Sequence, residues 1–338
     1  MMLGDRGILV ERYEQFLSAY LSGRTEQALY KAQQFSRKMI EQNISPEEVI
    51  NIHSTVLESL NGDIPEQVRD SFDFLIEVMM GYGMAYREHQ ILRDKQMALE
   101  SEIEVAASMQ QTLLQGEIPN IEGLEIGVIS KAAKKMSGDY YHFVQNGPDS
   151  ISVAVADVIG KGVPAALCMS MIKYAMDSLP EQQNNPSVVL ENLNRVVEQN
   201  VDPTMFITMF YGHYNRTHNR FFYAGAGHEP GFYYNAKSDS FDEFMAKGLV
   251  LGVSRSTKYI QYEKTVEPDD MIILLSDGVT ECRTSSGFVS RDEVISLIRS
   301  YMHLPPQEIV NHVYADLEQL QEFELRDDFT LIILKRSV

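Results

Sequence analysis

The chain has 338 residues, of which 44% are hydrophobic and 23% charged, and its formal net charge at pH 7 is −19. This is the composition of a globular protein long enough for two domains, and the acidic balance argues against a broad nucleic-acid surface. The cysteines Cys168 and Cys282 lack metal-ligand spacing and no apolar run is long enough to span a bilayer, so we expect a cytoplasmic protein without a membrane segment.

Residues 1–84 predict a small bundle of four helices, because their apolar residues recur at helical spacing and strand signals are almost absent. Ser45 and Pro46 are typical of a helix start. Gly81 and Gly83 weaken the fourth helix and predict an end or a bend there. The predicted helices run from about Leu9 to Tyr20, from Thr25 to Gln42, from Pro46 to Asn61 and from Pro65 onward.

Residues 85–115 predict a polar helical linker with a weak coiled-coil pattern. One core position of each heptad is apolar, but of the three residues that occupy the second core position only one is apolar. Two interpretations stay open: a solvated connector helix, or a helix that dimerises or carries a signal. The seven-residue positions are Leu92, Leu99, Ala106 and Leu113, and their companions are Gln96, Ile103 and Gln110.

From Leu124 onward the pattern predicts strands interrupted by pairs of helices, which favours two packed antiparallel sheets with helices outside. The fold class is therefore α+β. The predicted strands are Leu124–Ser130, Tyr140–Gln145, Ile151–Asp157, Met205–Tyr214, Phe221–Ala224, Gly231–Tyr234, Met271–Ser276 and Phe329–Leu334. The predicted helices are Pro164–Leu179, Pro186–Asn200, Arg291–Met302 and Pro306–Leu320.

Four aspartates, Asp139, Asp157, Asp277 and Asp328, each stand where an apolar strand-like run meets a turn. A carboxylate at such a place is costly unless it is solvated, paired or bound to a cation. Together the four predict an oxygen-lined site for Mg²⁺ or Mn²⁺ and the chemistry of a metal-assisted hydrolase.

Each motif also has a structural interpretation. The glycines after Asp157 let the backbone approach a ligand, but the same residues form ordinary strand–turn–helix junctions. Asp277-Gly278 is a common turn pair, and Asp328 could cap a strand. His228 in Gly227-His228-Glu229 is interpreted as a structural hydrogen-bonding group rather than a catalytic one.

Five short motifs, in this order, resemble those of the metal-dependent serine/threonine protein phosphatases of the PPM type, and more narrowly the bacterial SpoIIE-like branch. The likeness extends to residues 30–38 and 74–86, as in the activator-dependent phosphatases of the general stress response in Bacillus-type bacteria. The motifs are Ser137-Gly138-Asp139-Tyr140-Tyr141, Asp157-Val158-Ile159-Gly160-Lys161-Gly162, Ala226-Gly227-His228-Glu229-Pro230, Ser276-Asp277-Gly278-Val279-Thr280-Glu281 and Asp327-Asp328-Phe329-Thr330.

The resemblance implies an α-β-β-α sandwich with a centre of two Mn²⁺ or Mg²⁺ ions at one end of the sheets. Asp157 would bridge both ions, and Val158 would offer its backbone carbonyl. Asp277 and Asp328 would be ligands of the second ion, and Asp139 would bind directly or through water. Catalysis would then rest on Asp157, Asp277 and Asp328.

The sequence departs from the family pattern at two places. Many members have glycine where Val158 stands, but a backbone carbonyl serves in either case. The eukaryotic branch has a phosphate-binding arginine where Lys134 and Lys135 stand here, so the group that holds the substrate phosphate is left open.

The resemblance also implies domains and partners. Residues 1–84 would bind an RsbT-like activator and dimerise, 85–115 would be the linker, and 116–338 the phosphatase domain. The substrate would be a phosphorylated, RsbV-like anti-anti-sigma factor whose dephosphorylation frees sigma-B. The implied protein is a homodimer without a nucleic-acid or membrane partner.

Three alternatives differ in function. The first is a phosphatase of the same branch that acts on another anti-anti-sigma factor. The second is a non-catalytic interaction scaffold, against which the complete set of matching ligands argues. The third is a metal-dependent nuclease, which the net charge of −19 disfavours.

Overall fold

The computed structural model of the chain describes residues 3–42, 44–62, 64–114, 116, 118–145, 147–160, 162–178, 185–202, 205–284, 287–321 and 325–337. Contacts divide the chain into two compact units, Met1–Glu100 and Ser101–Val338. Gln115, Lys161 and Leu179, which belong to the predicted linker, loop and helix ends, lie outside the described residues. Within the described ranges, no helix has the length and apolar character needed to cross a bilayer.

The first unit is helical, as its apolar periodicity predicts. Its small core contains Phe35, Met39, Ile52 and Val56. Thr25 caps the second helix by accepting a hydrogen bond from the backbone N–H of Ala28. The helices are α1 (Leu3–Gly23), α2 (Glu26–Glu41), α3 (Pro46–Asn61) and α4 (Glu66–Leu114), of which α4 continues past the end of the unit.

The predicted end of the fourth helix at Gly81 and Gly83 is wrong, because α4 runs through both residues. A Cβ atom on Gly83 would lie 3.2 Å from Cδ of Pro46 and 2.9 Å from Oε2 of Glu47. Gly83 therefore allows α4 to pack closely against the start of α3. The glycine reflects a packing constraint and not a helix stop.

The second unit contains two five-stranded antiparallel sheets, as predicted. In the first sheet the strand order is β1-β12-β9-β6-β7, and in the second it is β2-β3-β4-β5-β8. The strands are β1 (Leu124–Lys131), β2 (Asp139–Gln145), β3 (Ser150–Val158), β4 (Ile207–Asn215), β5 (Arg220–Ala226), β6 (Gly231–Asn235), β7 (Ser240–Phe244), β8 (Tyr262–Thr265), β9 (Met271–Leu275), the short pair β10 (Arg283–Thr284) and β11 (Gly287–Phe288), and β12 (Phe329–Arg336).

Helices cover the outer face of each sheet, so the predicted α-β-β-α sandwich is confirmed. The two sheets share a core that includes Val153, Phe210 and Ile332. Helices α5 and α6 share a second core with β3 and β4, and helices α8 and α9 share a third with β9 and β12. The helices of this unit are α5 (Val163–Asp177), α6 (Pro186–Asn200), α7 (Asp277–Thr280), α8 (Arg291–Tyr301) and α9 (Pro306–Leu320).

Candidate metal centre

The four predicted aspartates lie at strand ends of the second unit. Asp139 begins β2 and is paired in register with Asp157, near the end of β3. Asp277 begins α7, one residue after the end of β9, and Asp328 directly precedes β12. Because β9 and β12 are antiparallel neighbours, the end of one and the start of the other lie on the same side of their sheet. Strand order thus explains how residues distant in sequence come together.

Gly138 marks the point where three predicted ligands converge. A Cβ atom at this residue would lie 3.2 Å from Oδ1 of Asp157, 3.3 Å from the carbonyl oxygen of Val158 and 3.4 Å from Oδ2 of Asp328. Carboxylate and carbonyl oxygens are the ligands preferred by Mg²⁺ and Mn²⁺. The structure therefore brings Asp157, Val158 and Asp328 around one small space.

Asp328 is held firmly by the backbone opposite. Asp328 is only 7% exposed, and its Oδ1 accepts a hydrogen bond of 2.8 Å from the N–H of Ala133. Oδ2 accepts a second hydrogen bond from the N–H of Gly138, whose carbonyl in turn accepts the N–H of Val158 at 3.0 Å. The carboxylate is therefore oriented by two backbone N–H groups of the 133–138 loop.

Asp139 is the most buried of the four, at 3% exposure, and its Oδ2 has no hydrogen-bond partner among the described residues. Burial raises the pKa of this carboxyl well above its usual value, the hydroxyls of Ser276 and Thr330 oppose that shift, and the charges of Asp157 and Asp328 add to it. A buried acid beside two others is a place where a cation can replace a proton. Asp139 therefore fits a metal centre.

Asp277 lies among a second group of acids. Burial raises its pKa, and the charges of Asp327, Glu281 and Glu229 raise it further. The two groups are in close contact, because a Cβ atom on Gly278 would lie 2.0 Å from the carbonyl oxygen of Asp328. Our sequence analysis did not select Asp327 or Glu229 as site residues, although both stand inside the motifs that it identified.

The side chains alone do not enclose an ion. In the part of the chain that the structure describes, no three His, Cys, Asp or Glu side chains form a ready-made ion-binding group. The carbonyl of Val158 and water would have to complete the coordination shell, which is common for hard cations.

His228 supports the acidic end of β3 from the neighbouring strand. Its Nδ1 lies 3.0 Å from Oγ1 of Thr208, the residue paired with Asp157 between β4 and β3. Burial lowers the pKa of His228 to about 4, so the ring is neutral at pH 7. Arg291 holds the same loop by donating to the carbonyl of Pro230 at 2.7 Å. These contacts favour the structural interpretation of His228.

Gln110 joins the end of α4 to the loop that precedes Asp139. It is 5% exposed, its Nε2 donates to the carbonyl of Ser137 at 2.8 Å, and its Oε1 accepts the N–H of Ser137 at 3.2 Å. A cleft of about 560 Å³ lies beside this contact, lined in part by Lys135 and Asp139. The heptad pattern places Gln110 in an exposed helical seam. That prediction is wrong for Gln110, because the residue is buried and hydrogen-bonded to Ser137.

Comparisons with known proteins agree with this geometry. The family model described as "Stage II sporulation protein E (SpoIIE)" matches residues 147–337, and "Phosphoserine phosphatase RsbU, N-terminal domain" matches residues 11–85. The chain is 59% identical over 333 residues to phosphoserine phosphatase RsbU of Bacillus subtilis strain 168, covering 98% of this chain and 99% of that protein.

Two solved structures share the fold of the second unit. The SiaA-PP2C domain of Pseudomonas aeruginosa has a TM-score of 0.62 at 19% identity, over 71% of this chain and 98% of that one. The phosphatase domain of SpoIIE from Bacillus subtilis, with a fragment of its regulatory domain, has a TM-score of 0.54 at 16% identity, over 80% and 98%. At these identities the likeness concerns the fold alone.

The two-sheet sandwich with acids at one end is therefore that of a PP2C-type phosphatase. The 59% sequence identity over almost the whole chain and the two family matches identify one family within this class. The chain belongs to the RsbU family of phosphoserine phosphatases.

Proposed function

We propose that this chain is a metal-dependent phosphatase that removes phosphate from a serine of an RsbV-like anti-anti-sigma factor. Binding of an RsbT-like activator would switch it on and so free sigma-B. The observation that carries the proposal is the convergence of Asp157, Val158 and Asp328 oxygens around Gly138. It occurs in a chain that shares 59% identity with the Bacillus subtilis phosphatase.

The residues present fit a centre of two Mn²⁺ or Mg²⁺ ions. Asp139, Asp157, Asp277 and Asp328 would hold the ions together with the backbone carbonyl of Val158. When bound, such ions lower the pKa of a coordinated water and neutralise charge on the phosphoryl oxygens.

The protein's own contribution is to hold its ligands in place. Backbone N–H groups of Ala133 and Gly138 orient both oxygens of Asp328, so that carboxylate pays little reorganisation on binding a cation. Thr208 and His228 steady the strand beside Asp157. The mechanism that the family implies uses no nucleophile from the protein, and we assign that role to no residue of the site.

The first unit is proposed to receive the activator. Its residues 11–85 match the N-terminal domain model of the RsbU family. Exposed apolar side chains on the second half of α4, such as Leu92 and Leu99, would provide a seam for a homodimer. The domain limits 1–84, 85–115 and 116–338 remain part of this proposal.

The test is phosphate release from the phosphorylated anti-anti-sigma protein, in metal-defined buffer with Mn²⁺ and with or without the activator. Asp157→Asn and Asp277→Asn should each abolish turnover while the domain stays folded, because each removes a charged ligand. Asp242→Asn, an exposed carboxylate on the edge strand β7, is the matched control and should keep the activity. Undiminished turnover in either ligand variant would overturn the assignment.

A further inference from the structure

The segment 245–255 of the second unit has one face packed and one face open. Ala246 and Val250 point inward: a Cβ atom on Gly225 would lie 2.3 Å from the Ala246 carbonyl oxygen, and one on Gly227 would lie 2.4 Å from Cγ1 of Val250. Five other side chains of the segment are exposed, whereas Leu251 is fully buried, and we refer to the five as the rim strip. The rim strip consists of Met245, Lys247, Leu249, Val253 and Arg255.

The rim strip is connected to the metal centre from two directions. Leu251, within the same segment, bridges to Ile207, which is paired with Val158. Neighbouring paired strands are about 4.8 Å apart, so this path spans about 10 Å. On the other side, the Gly227 loop against Val250 leads to Glu229, whose charge acts on Asp277.

The chemistry of the rim strip differs from that of the surrounding surface. Leu249 is 48% exposed and Val253 is 57% exposed, although large apolar side chains usually gain free energy from burial. Lys258 and Arg291 nearby pair with glutamates, whereas Lys247 and Arg255 form no salt bridge among the described residues. The strip thus combines open apolar surface with two cations in a chain whose net charge is −19.

A phosphoserine on a folded protein cannot reach the centre alone. When its phosphate lies at the acids of β3 and β12, the folded domain that carries the phosphoserine must also contact the protein surface next to the centre. Exposed apolar side chains with cations among them are the kind of surface that such a contact buries. A small phosphate ester would reach the same centre without touching these side chains.

We propose that the rim strip is the docking surface for the phosphoprotein substrate, which would place an apolar patch on Leu249 and Val253 and acidic groups against Lys247 and Arg255. This inference rests on the proposed phosphatase function. It predicts that protein substrates and small esters respond differently to changes in the strip.

The experiment uses the full chain with Mn²⁺ and activator, and two substrates: the phosphorylated anti-anti-sigma protein and p-nitrophenyl phosphate. The double variant Leu249→Ser/Val253→Ser should raise KM for the phosphoprotein about tenfold or more, as for loss of interface anchors, with kcat little changed. Its kcat/KM for p-nitrophenyl phosphate should stay within about twofold of wild type. Leu320→Ser, an exposed leucine at the end of α9, is the matched control and should change neither.

The charge variant Lys247→Glu/Arg255→Glu provides an independent arm. It should also raise KM for the phosphoprotein, and high salt should raise the wild-type KM toward the variant's value. An unchanged phosphoprotein KM in both double variants would overturn the docking proposal. If the serine variant loses ester turnover through misfolding, the charge variant alone decides. A wild-type enzyme inactive on both substrates would instead overturn the phosphatase function.

Discussion

At Gly138 a hydrogen atom occupies the one position where any other residue would place carbon among three oxygens. We predict that Gly138→Ala weakens Mn²⁺ binding about tenfold or more, because the methyl group crowds Asp157, Val158 and Asp328. The measurement is the rise in unfolding temperature on Mn²⁺ titration. Gly81→Ala, with no heavy atom within 4 Å, is the control and should stabilise α4 by up to about 1 kcal/mol. Equal Mn²⁺ responses in Gly138→Ala and wild type would contradict this.

His228 gives a pH prediction whose sign follows from its burial. Its pKa falls from 6.5 to about 4 on folding, so between these pH values the unfolded chain binds a proton that the native protein does not. Stability should therefore fall as pH drops through this window, by at most about 1.4 kcal/mol per unit from this group. His228→Asn should flatten the dependence measured by urea unfolding at pH 7 and pH 4.5. His142 and His213, whose pKa values are also lowered by burial, remain in both proteins. Identical slopes would show that His228 is not buried and neutral.

Sequence patterns indicated Asp139, Asp157 and Asp328 because each stands where an apolar strand-like run meets a turn. The structure places the corresponding strand ends close together. Their metal ligation stays a prediction. Glu229 lies in an identified motif and Gln110 in the heptad pattern, but neither pattern indicates which residues these side chains contact. Their importance comes from distant partners, Asp277 in one case and Ser137 in the other.

At the scale of elements, strands with apolar runs were predicted, and short strands of mostly polar sequence were missed. β3 and β9 are almost continuously buried and give strong apolar runs. β7 and β8 are edge strands whose side chains are mostly exposed or half-buried. The edge strands β1 and β2 were predicted because each contains apolar residues that are buried, whereas β7 and β8 are held mainly by backbone pairing on one side.

The end of α4 supplies a prediction at this scale. A heptad interpretation alone predicts that an apolar residue at position 110 strengthens a helical seam. The structure predicts the reverse for Gln110→Leu: the N–H and C=O of the half-buried Ser137 lose their partner, at a cost of up to about 3 kcal/mol. We expect lower stability of the second unit and weaker Mn²⁺ binding at the adjacent Asp139, both followed by thermal unfolding.

Gln96→Leu is the control for Gln110→Leu. Gln96 is exposed and bonds only to Glu100 one turn along the helix among the contacts described for it, so its replacement should leave the second unit's unfolding unchanged. A Gln110→Leu protein as stable and as responsive to Mn²⁺ as the Gln96→Leu protein would show that the contact with Ser137 contributes little.

For the whole molecule, the main question is where the catalytic unit begins. The linker pattern predicts a boundary at 115/116, whereas contacts place the division after Glu100, inside α4. The physical reason is that the last turns of α4 contribute the buried Gln110 to the second unit, together with the half-buried Ile103 and Ala106. Propensity describes these turns correctly as helix but contains no information about what they touch.

The final prediction compares two fragments, 101–338 and 116–338, with the isolated bundle 1–84. Both longer fragments contain the acidic centre, so both should show Mn²⁺-dependent phosphatase activity that the activator cannot stimulate, because both lack the bundle. The fragment 101–338 should be more stable by about 1–3 kcal/mol, since it alone keeps the partners of Ser137. The bundle, with its own core, should bind the activator by itself. Urea unfolding measures the stability of the fragments, phosphate release their activity, and calorimetric titration the binding of the activator to the bundle.

Stimulation of either fragment, or a bundle that fails to bind, would show that activator recognition is not confined to residues 1–84. Equal stability of the two fragments would place the start of the catalytic unit at 116, as the linker pattern predicts.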